Sequence, residues 1–277
     1  MQLKNTKRVL DLTEPRIMGI VNLTPDSFSD GGRLQGVDAA LEHALRLEKE
    51  GADLLDLGGE STRPGAAKVS VQEEMDRVLP VLEALRKETS SWISIDTSTP
   101  EVMTEAARLG ADLINDVRAL RRPGALQAAA KTGLPVCLMH MKGEPGFMQQ
   151  EAHYDDLLQE ITDFLNERIT ACEQAGIQRS ALLLDPGFGF AKLLKHNLAL
   201  LNNLGTLLEL QLPLLVGLSR KRMLGEITGR EVHERQAASY AVHLLAAQKG
   251  AKILRVHDVA GMKDSLAVWQ AMLNAEI

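Results

Sequence analysis

WISIDTSTPEVMTEAARLGADLIND, residues 92–116, holds one complete unit of the fold. Its ends, WISID (92–96) and ADLIND (111–116), are short apolar runs of strand length. Between them PEVMTEAARLG alternates apolar and charged residues at helical spacing and stops at a glycine. A strand, a helix and a second strand in so short a span imply a parallel pair joined by a right-handed crossover. The unit recurs in both directions. Further apolar runs lie at RIMGIV (16–21), ADLLDL (52–57), LPVCLMH (134–140), ALLLD (181–185), LPLLVG (212–217) and KILRVH (252–257), which makes eight in all. They are separated by segments such as VDAALEHALRLEKEG, VQEEMDRVLPVLEALRKE and YDDLLQEITDFLNERITACEQAG. Eight units in 277 residues predict an α/β chain folded as a single (β/α)8 (TIM) barrel over 16–277, since about 250 residues is usual for that fold. An open doubly wound sheet is the alternative. Ahead of the first unit, QLKNTKRVLDL has its own apolar alternation and predicts a short N-terminal hairpin within 1–15, capping the barrel bottom. Nothing linker-like divides the chain, so one domain is expected.

Composition narrows the function. Lys+Arg 31 against Asp+Glu 37 leaves a net charge of −6, unsuited to tracking nucleic-acid phosphates, and aromatics at 3% disfavour grooves built on base stacking. Two cysteines, Cys137 and Cys172, cannot form a disulfide framework, and neither a CxxC nor an HExxH pattern occurs. A reducing cytoplasm is the expected setting. The N-terminus lacks an apolar signal-like region and no run approaches the length of a membrane span, so neither export nor a membrane partner is expected.

In a barrel the chemistry gathers where the strands end. Here those ends carry Asn22, Asp56, Asp96, Asn115 with Asp116, His140, Asp185, Ser219 with Lys221, and Arg255 with His257. Asp and Asn are ordinary caps and loop residues, so one or two of these would need no function. All eight strands ending this way is a different matter. Asn22, Arg63, Ser219, Lys221, Arg255 and His257 offer cations and donors suited to phosphate or carboxylate oxygens. Asp96, Asn115 and Asp185 supply acceptors and an amide suited to a flat heterocycle with ring and exocyclic N–H groups.

Other motifs carry less. GFGFAK (187–192) approaches GxGxxG but places Lys192 sixth, and no GxxxxGK[ST] occurs. His233 in HERQA lacks the second histidine of a zincin. The scattered histidines disfavour a structural zinc, while a hard cation such as Mg2+ could be held through Asn22 and substrate phosphates. Cys137, Cys172, Met18, Met139 and Met141 read as packing residues.

MGIVNLTPDSFSDGG (18–32), DLGGESTRPGA (56–66), SIDT (94–97), NDVRAL (115–120), LLDPGFGFAK (183–192), GLSRK (217–221) and RVHDV (255–259) together resemble the dihydropteroate synthase family of bacterial folate biosynthesis. The resemblance covers nearly the whole chain, in order. It implies condensation of 4-aminobenzoate with 6-hydroxymethyl-7,8-dihydropterin diphosphate, giving 7,8-dihydropteroate and diphosphate, and sensitivity to sulfonamides. It further implies pterin contacts from Asp96, Asn115, Asp185 and Lys221, and a diphosphate site at Asn22, Arg255 and His257 with Mg2+ on Asn22. The aminobenzoate would meet Phe28, Thr62, Arg63, Pro64, Phe190, Ser219 and Lys221, its carboxylate near Ser219 and the start of the following helix. Asp30, Asp96, Lys221, Arg255 and His257 would serve catalysis, with the loops 22–36 and 58–70 closing over the substrates, and a homodimer is expected. Arg222 stands where the family usually has a small hydroxyl residue, adding a charge beside the expected carboxylate site. A catalytically inactive pterin-binding relative is the alternative; it would have lost a loop or anion residue, and here Asn22, Asp30, Arg63, Lys221, Arg255 and His257 are all present.

Overall fold

The structure, a computed structural model, describes residues 1–5, 7–24, 32–61, 69–143, 148 and 152–275. Strands β1 (Gln2–Lys4) and β2 (Val9–Asp11) form an antiparallel hairpin, and β3 (Arg16–Asn22) begins the barrel. There follow α1 (Gly32–Lys49), β4 (Leu54–Gly58), α2 (Val71–Glu88), β5 (Trp92–Asp96), α3 (Pro100–Arg108), β6 (Leu113–Asp116), α4 (Ala125–Thr132), β7 (Val136–Met139) and α5 (Leu157–Gln174). The chain ends with β8 (Leu182–Asp185), α6 (Leu194–Asn202), β9 (Leu214–Val216), α7 (Arg222–Thr228), α8 (Gln236–Gln248), β10 (Ala251–Val256) and α9 (Val259–Leu273). All eight strands β3–β10 are parallel and closed in sequence order, with β10 beside β3 in the register Arg255 opposite Met18. Closure removes the open-sheet alternative.

The side-chain period of two along a strand decides what each face carries. Ile17, Leu55, Ile93, Ile114, Leu138, Leu184, Val216 and Leu254 face outward into the main core against the helices. Their neighbours Met18, Leu54, Trp92, Leu113, Cys137, Leu183, Leu215 and Ile253, one from each strand, point inward and form a separate buried layer. Leu3, Leu10 and Leu12 belong to that same layer, so the hairpin closes the bottom of the barrel. Polar ties hold it there. Arg8 donates through Nη1 to Asp112 Oδ2 at 2.7 Å and to the Ser91 carbonyl at 2.9 Å, while Asn5 Nδ2 donates to Asp112 Oδ1 at 3.1 Å.

Packing accounts for the sulfur residues. Cys137 sits in the inner layer, where burial raises its thiol well above the usual range, and Cys172 is buried on α5. Met139 and Met141 form a cluster at the rim with Val117, Met148 and Ala191, and Phe190 packs on it. No described helix is long and apolar enough to cross a membrane.

Candidate functional site

Two residues beyond the inner apolar layer, on the same inward face, come Asp56, Ser94, Asn115, Asp185, Gly217 and Arg255. Two further along lie Asn22, Gly58, Asp96, Ser219 and His257. The site is the polar upper half of the barrel interior, standing on an apolar floor. Gly58 and Gly217 add no side chain to it; a Cβ at either would make ordinary contact, 3.5 Å from Asp96 Cβ and 3.9 Å from Arg255 Cβ.

Arg255 is the hub. Its Nε donates to Asp56 Oδ2 at 2.6 Å and its Nη2 to Asp96 Oδ2 at 2.9 Å, so one guanidinium bridges carboxylates from β4 and β5. Asn115 Nδ2 donates to the same Asp56 oxygen at 3.2 Å. The other oxygen of Asp56 is buried and makes no hydrogen bond among the described residues, leaving an acceptor for a bound donor. Burial raises the Asp96 carboxyl, and the neighbouring Asp56 charge adds to the rise against the pull of Arg255. Asp185 accepts from the Gly187 N–H at 2.7 Å, and burial lifts its pKa to about 6 despite that bond and the nearby Lys221. Burial lowers Lys221 to about 8, and its ammonium stands 4.3 Å from the centre of the Phe190 ring.

A second region adjoins this one. Ser219 Oγ accepts from the His257 backbone N–H at 3.2 Å and lies 2.9 Å from His257 Nδ1. Between Ser219 and Lys221, Arg220 adopts a left-handed backbone conformation (φ 55°) and forks onto Asp258, with Nη2 2.6 Å from Oδ1 and Nε 3.2 Å from Oδ2. Asn22, His257, Arg220 and Asp258 line a groove of about 620 Å3 that runs outward past His43 and Arg46. The Asn22 side chain is half-buried and makes no hydrogen bond to a described residue. Among the described residues no three His, Cys, Asp or Glu side chains gather to hold a metal. A cation here would take one amide oxygen from Asn22 and the rest of its shell from ligand and water, the arrangement Mg2+ favours beside phosphates.

The structure thus brings Asn22, Asp96, Asn115, Asp185, Phe190, Ser219, Lys221, Arg255 and His257 to one mouth. Phe28, Asp30, Thr62, Arg63 and Pro64 lie outside the described residues. Two features differ from the sequence reading. Arg255, expected to face an anion, also bridges Asp56 and Asp96, and Asp56, given no role, is wholly buried within the site. Arg222 begins α7 with its side chain 87% exposed and paired to Glu226 at 2.7 Å, so its charge is directed to solvent and away from Ser219. Sequence reasoning also missed Glu60, half-buried after β4, which Arg118 grips through two bonds of 3.0 Å.

Comparison with known proteins agrees with this geometry. Residues 18–257 match the family described as pterin binding enzyme. The chain is 52% identical over 267 residues to the dihydropteroate synthase of Escherichia coli (strain K12), covering 96% of this chain and 95% of that one. It superposes on the Yersinia pestis dihydropteroate synthase in complex with a sulfonamide drug with a TM-score of 0.95 and 53% identity, covering 99% of this chain and all of that one. The Xanthomonas albilineans enzyme in complex with 7,8-dihydropteroate gives a TM-score of 0.90 and 52% identity over the full length of both chains. With residues 18–257 matched by the family and about half of its residues identical to these enzymes over nearly the whole length, the chain belongs to the pterin binding enzyme family.

Proposed function

We propose that the protein condenses 4-aminobenzoate with 6-hydroxymethyl-7,8-dihydropterin diphosphate to form 7,8-dihydropteroate and diphosphate. The observation that carries this reading is the enclosed cluster of Asp56, Asp96, Asn115, Asp185 and Lys221 around Arg255. Its paired acceptors face inward above an apolar floor, as a flat ring edge rich in N–H donors requires.

The reaction breaks the bond between the pterin methylene carbon and the diphosphate oxygen, and the electron pair leaves with diphosphate. The methylene carries positive charge until the arylamine lone pair closes the C–N bond, after which the nitrogen sheds a proton. Such a step needs stabilisation of two separating charges more than a strong base. Asp96 and Asp185, as carboxylates, hold the ring donors and favour the cation, while Asn115 fixes the ring's orientation. Arg255, already held in place by Asp56 and Asp96, presents its remaining N–H groups to the leaving oxygens, and His257 and Asn22 line the groove beside it. Mg2+ bound by Asn22 and the diphosphate would supply charge neutralisation on the leaving group. Phe190 and Lys221 form the wall and the ring-edge contact of the aminobenzoate site, with Ser219 toward its carboxylate. Sulfonamides, which share the arylamine shape, would compete there. Asp30, Phe28, Thr62, Arg63 and Pro64 would complete the site from the two loops.

In the presence of Mg2+, aminobenzoate should raise diphosphate release and yield a product of dihydropteroate mass, and removing Mg2+ should suppress both. Pterin binding without aminobenzoate-dependent product would instead support an inactive binding protein. The buried free thiols of Cys137 and Cys172 suit a reducing cytoplasm. We further infer a homodimer through the C-terminal helices, where Ile227, Leu245 and Val268 are exposed apolar residues. Sedimentation equilibrium at the mass of one chain would remove that inference.

A further inference from the structure

Lys192 is almost wholly buried, at 3% exposure, and the chemistry above does not use it. A buried lysine needs an acceptor for each of its three donors, because an unpaired ammonium away from water is strongly unfavourable. All three are provided. Nζ lies 2.8 Å from His140 Nδ1, 3.1 Å from the Gly187 carbonyl oxygen and 3.2 Å from the Phe190 carbonyl oxygen. As an ammonium the lysine donates and His140 accepts through an unprotonated Nδ1; burial lowers Lys192 to about 7, its charge held by Asp185, while burial and the nearby Lys192 charge push the His140 pKa far down.

The three bonds span a backbone of unfavourable local shape, which also carries a turn bond from the Phe190 N–H to the Gly187 carbonyl at 3.1 Å. Gly187 (φ 71°), Gly189 (φ 79°) and Ala191 (φ 50°) all adopt left-handed conformations within five residues, and for alanine that conformation is unfavourable. A Cβ on Gly187 would collide with the His140 carbonyl oxygen at 2.0 Å, so the loop lies hard against the end of β7. From the other side the Asn197 side chain of α6 accepts from the Gly189 N–H at 2.8 Å and donates to the Lys192 carbonyl at 3.1 Å. What the loop carries is Phe190, whose ring stands against Lys221.

We propose that Lys192 is a positioning residue for the aminobenzoate half of the site: by tying the Gly187 and Phe190 carbonyls to His140, it fixes the Phe190 ring against the Lys221 ammonium. The proposal rests on the functional reading above, in which Phe190 and Lys221 wall the aminobenzoate. Asp185 is held by the pairing of β8 with β7 and by the His140 N–H on its carbonyl at 2.9 Å, bonds that do not use the lysine; the Lys192 charge does help hold its carboxyl down, so pterin affinity is compared at pH 8, where Asp185 is ionised with or without it.

Lys192→Met keeps the length and apolar stem of the side chain and removes the donors. It should raise the KM for 4-aminobenzoate about tenfold while changing the affinity for a pterin lacking diphosphate less than threefold. Phe190→Ala should raise the same KM, and the double variant Lys192→Met/Phe190→Ala should be no worse than Phe190→Ala alone, because both changes remove one wall. A lower melting temperature with an unaltered KM, multiplicative effects in the double variant, or an equal loss of pterin affinity would each overturn the proposal. If Lys192→Met does not fold, Lys192→Gln retains two donors on a shorter stem and should give a smaller KM rise; no rise overturns the proposal equally. Wild-type turnover is measured alongside. Absence of product there defeats the functional reading and this proposal with it, whereas normal wild-type turnover with an unchanged variant KM defeats the proposal alone.

Discussion

Replacing Arg255 with alanine should reduce kcat/KM by at least about 100- to 1000-fold, as for loss of a main transition-state donor, and should also destabilise the fold by about 3–5 kcal/mol. The second effect follows from geometry. Asp56 is fully buried, Asp96 is 15% exposed, and the Arg255 side chain is 21% exposed, so removing the guanidinium strands two carboxylates with little solvent to receive them. The deficit should depend on pH. Without Arg255 the Asp96 carboxyl, already pushed up from 3.8 by burial and Asp56, loses its strongest attraction and is left with the weaker one from Lys221. The folded variant then binds a proton that the unfolded chain releases, so its stability is greatest at acid pH and falls as pH rises from the unfolded value of 3.8 through the raised folded value. Chemical denaturation of wild type and variant across that range reads the difference directly. The double variant Arg255→Met/Asp56→Asn should regain much of the stability, because it removes a buried charge as well as its partner, yet remain inactive. If Arg255→Ala lost activity at unchanged stability at neutral pH, the bridge to Asp56 and Asp96 would be absent in solution.

Much of this architecture was legible from residue order because the barrel reads one rule eight times. The inward set at Met18, Leu54, Trp92, Leu113, Cys137, Leu183, Leu215 and Ile253 supplies the floor, and the same period of two carries the chain from there to Asp56, Asn115, Asp185 and Arg255. That is why the polar residues at strand ends could be named in advance. The hairpin was legible for a related reason, since an apolar alternation ahead of the first strand must bury its leucines somewhere, and the barrel bottom is the open apolar surface nearby.

The pairings inside the site were not legible. Arg255 reads as an anion ligand in isolation, and only the closed barrel brings it within reach of Asp56 and Asp96, which are 199 and 159 residues away in sequence. Lys192 reads as a failed sixth position of a glycine-rich motif, whereas its partner His140 lies 52 residues upstream on the neighbouring strand end. The same limit hid His243, a fully buried histidine on α8 whose Nε2 accepts from the Leu218 N–H at 3.2 Å and so holds the loop ahead of Ser219. Local pattern reports which face a residue occupies. It does not report which charge will be waiting there, because that depends on closure across the whole chain.

Asp185→Asn isolates the acceptor at the heart of the pterin site. The carboxylate offers two acceptor oxygens; Oδ1 takes the Gly187 N–H at 2.7 Å, and Oδ2 remains for a ligand donor. In asparagine the Gly187 N–H claims the one amide oxygen, which turns the NH2 group toward the ligand, donor against donor. The loss combines a charge-assisted hydrogen bond with an unsatisfied buried donor, about 3 kcal/mol or roughly 150-fold in the dissociation constant of a pterin lacking diphosphate. The same carboxyl provides a second reading. Its pKa stands at about 6 in the unliganded protein because burial disfavours the charge. If the ionised form binds the ring donors, Asp185 should contribute to the wild-type profile an acid limb with its midpoint near pH 6, below which its protonation weakens affinity tenfold for each unit. Asp185→Asn should flatten that limb of the profile while leaving the aminobenzoate wall at Phe190 intact. Isothermal titration with the unphosphorylated pterin between pH 5 and 8 measures both quantities, and a variant that binds as tightly as wild type, or keeps the acid limb, would place the ring donors on another acceptor.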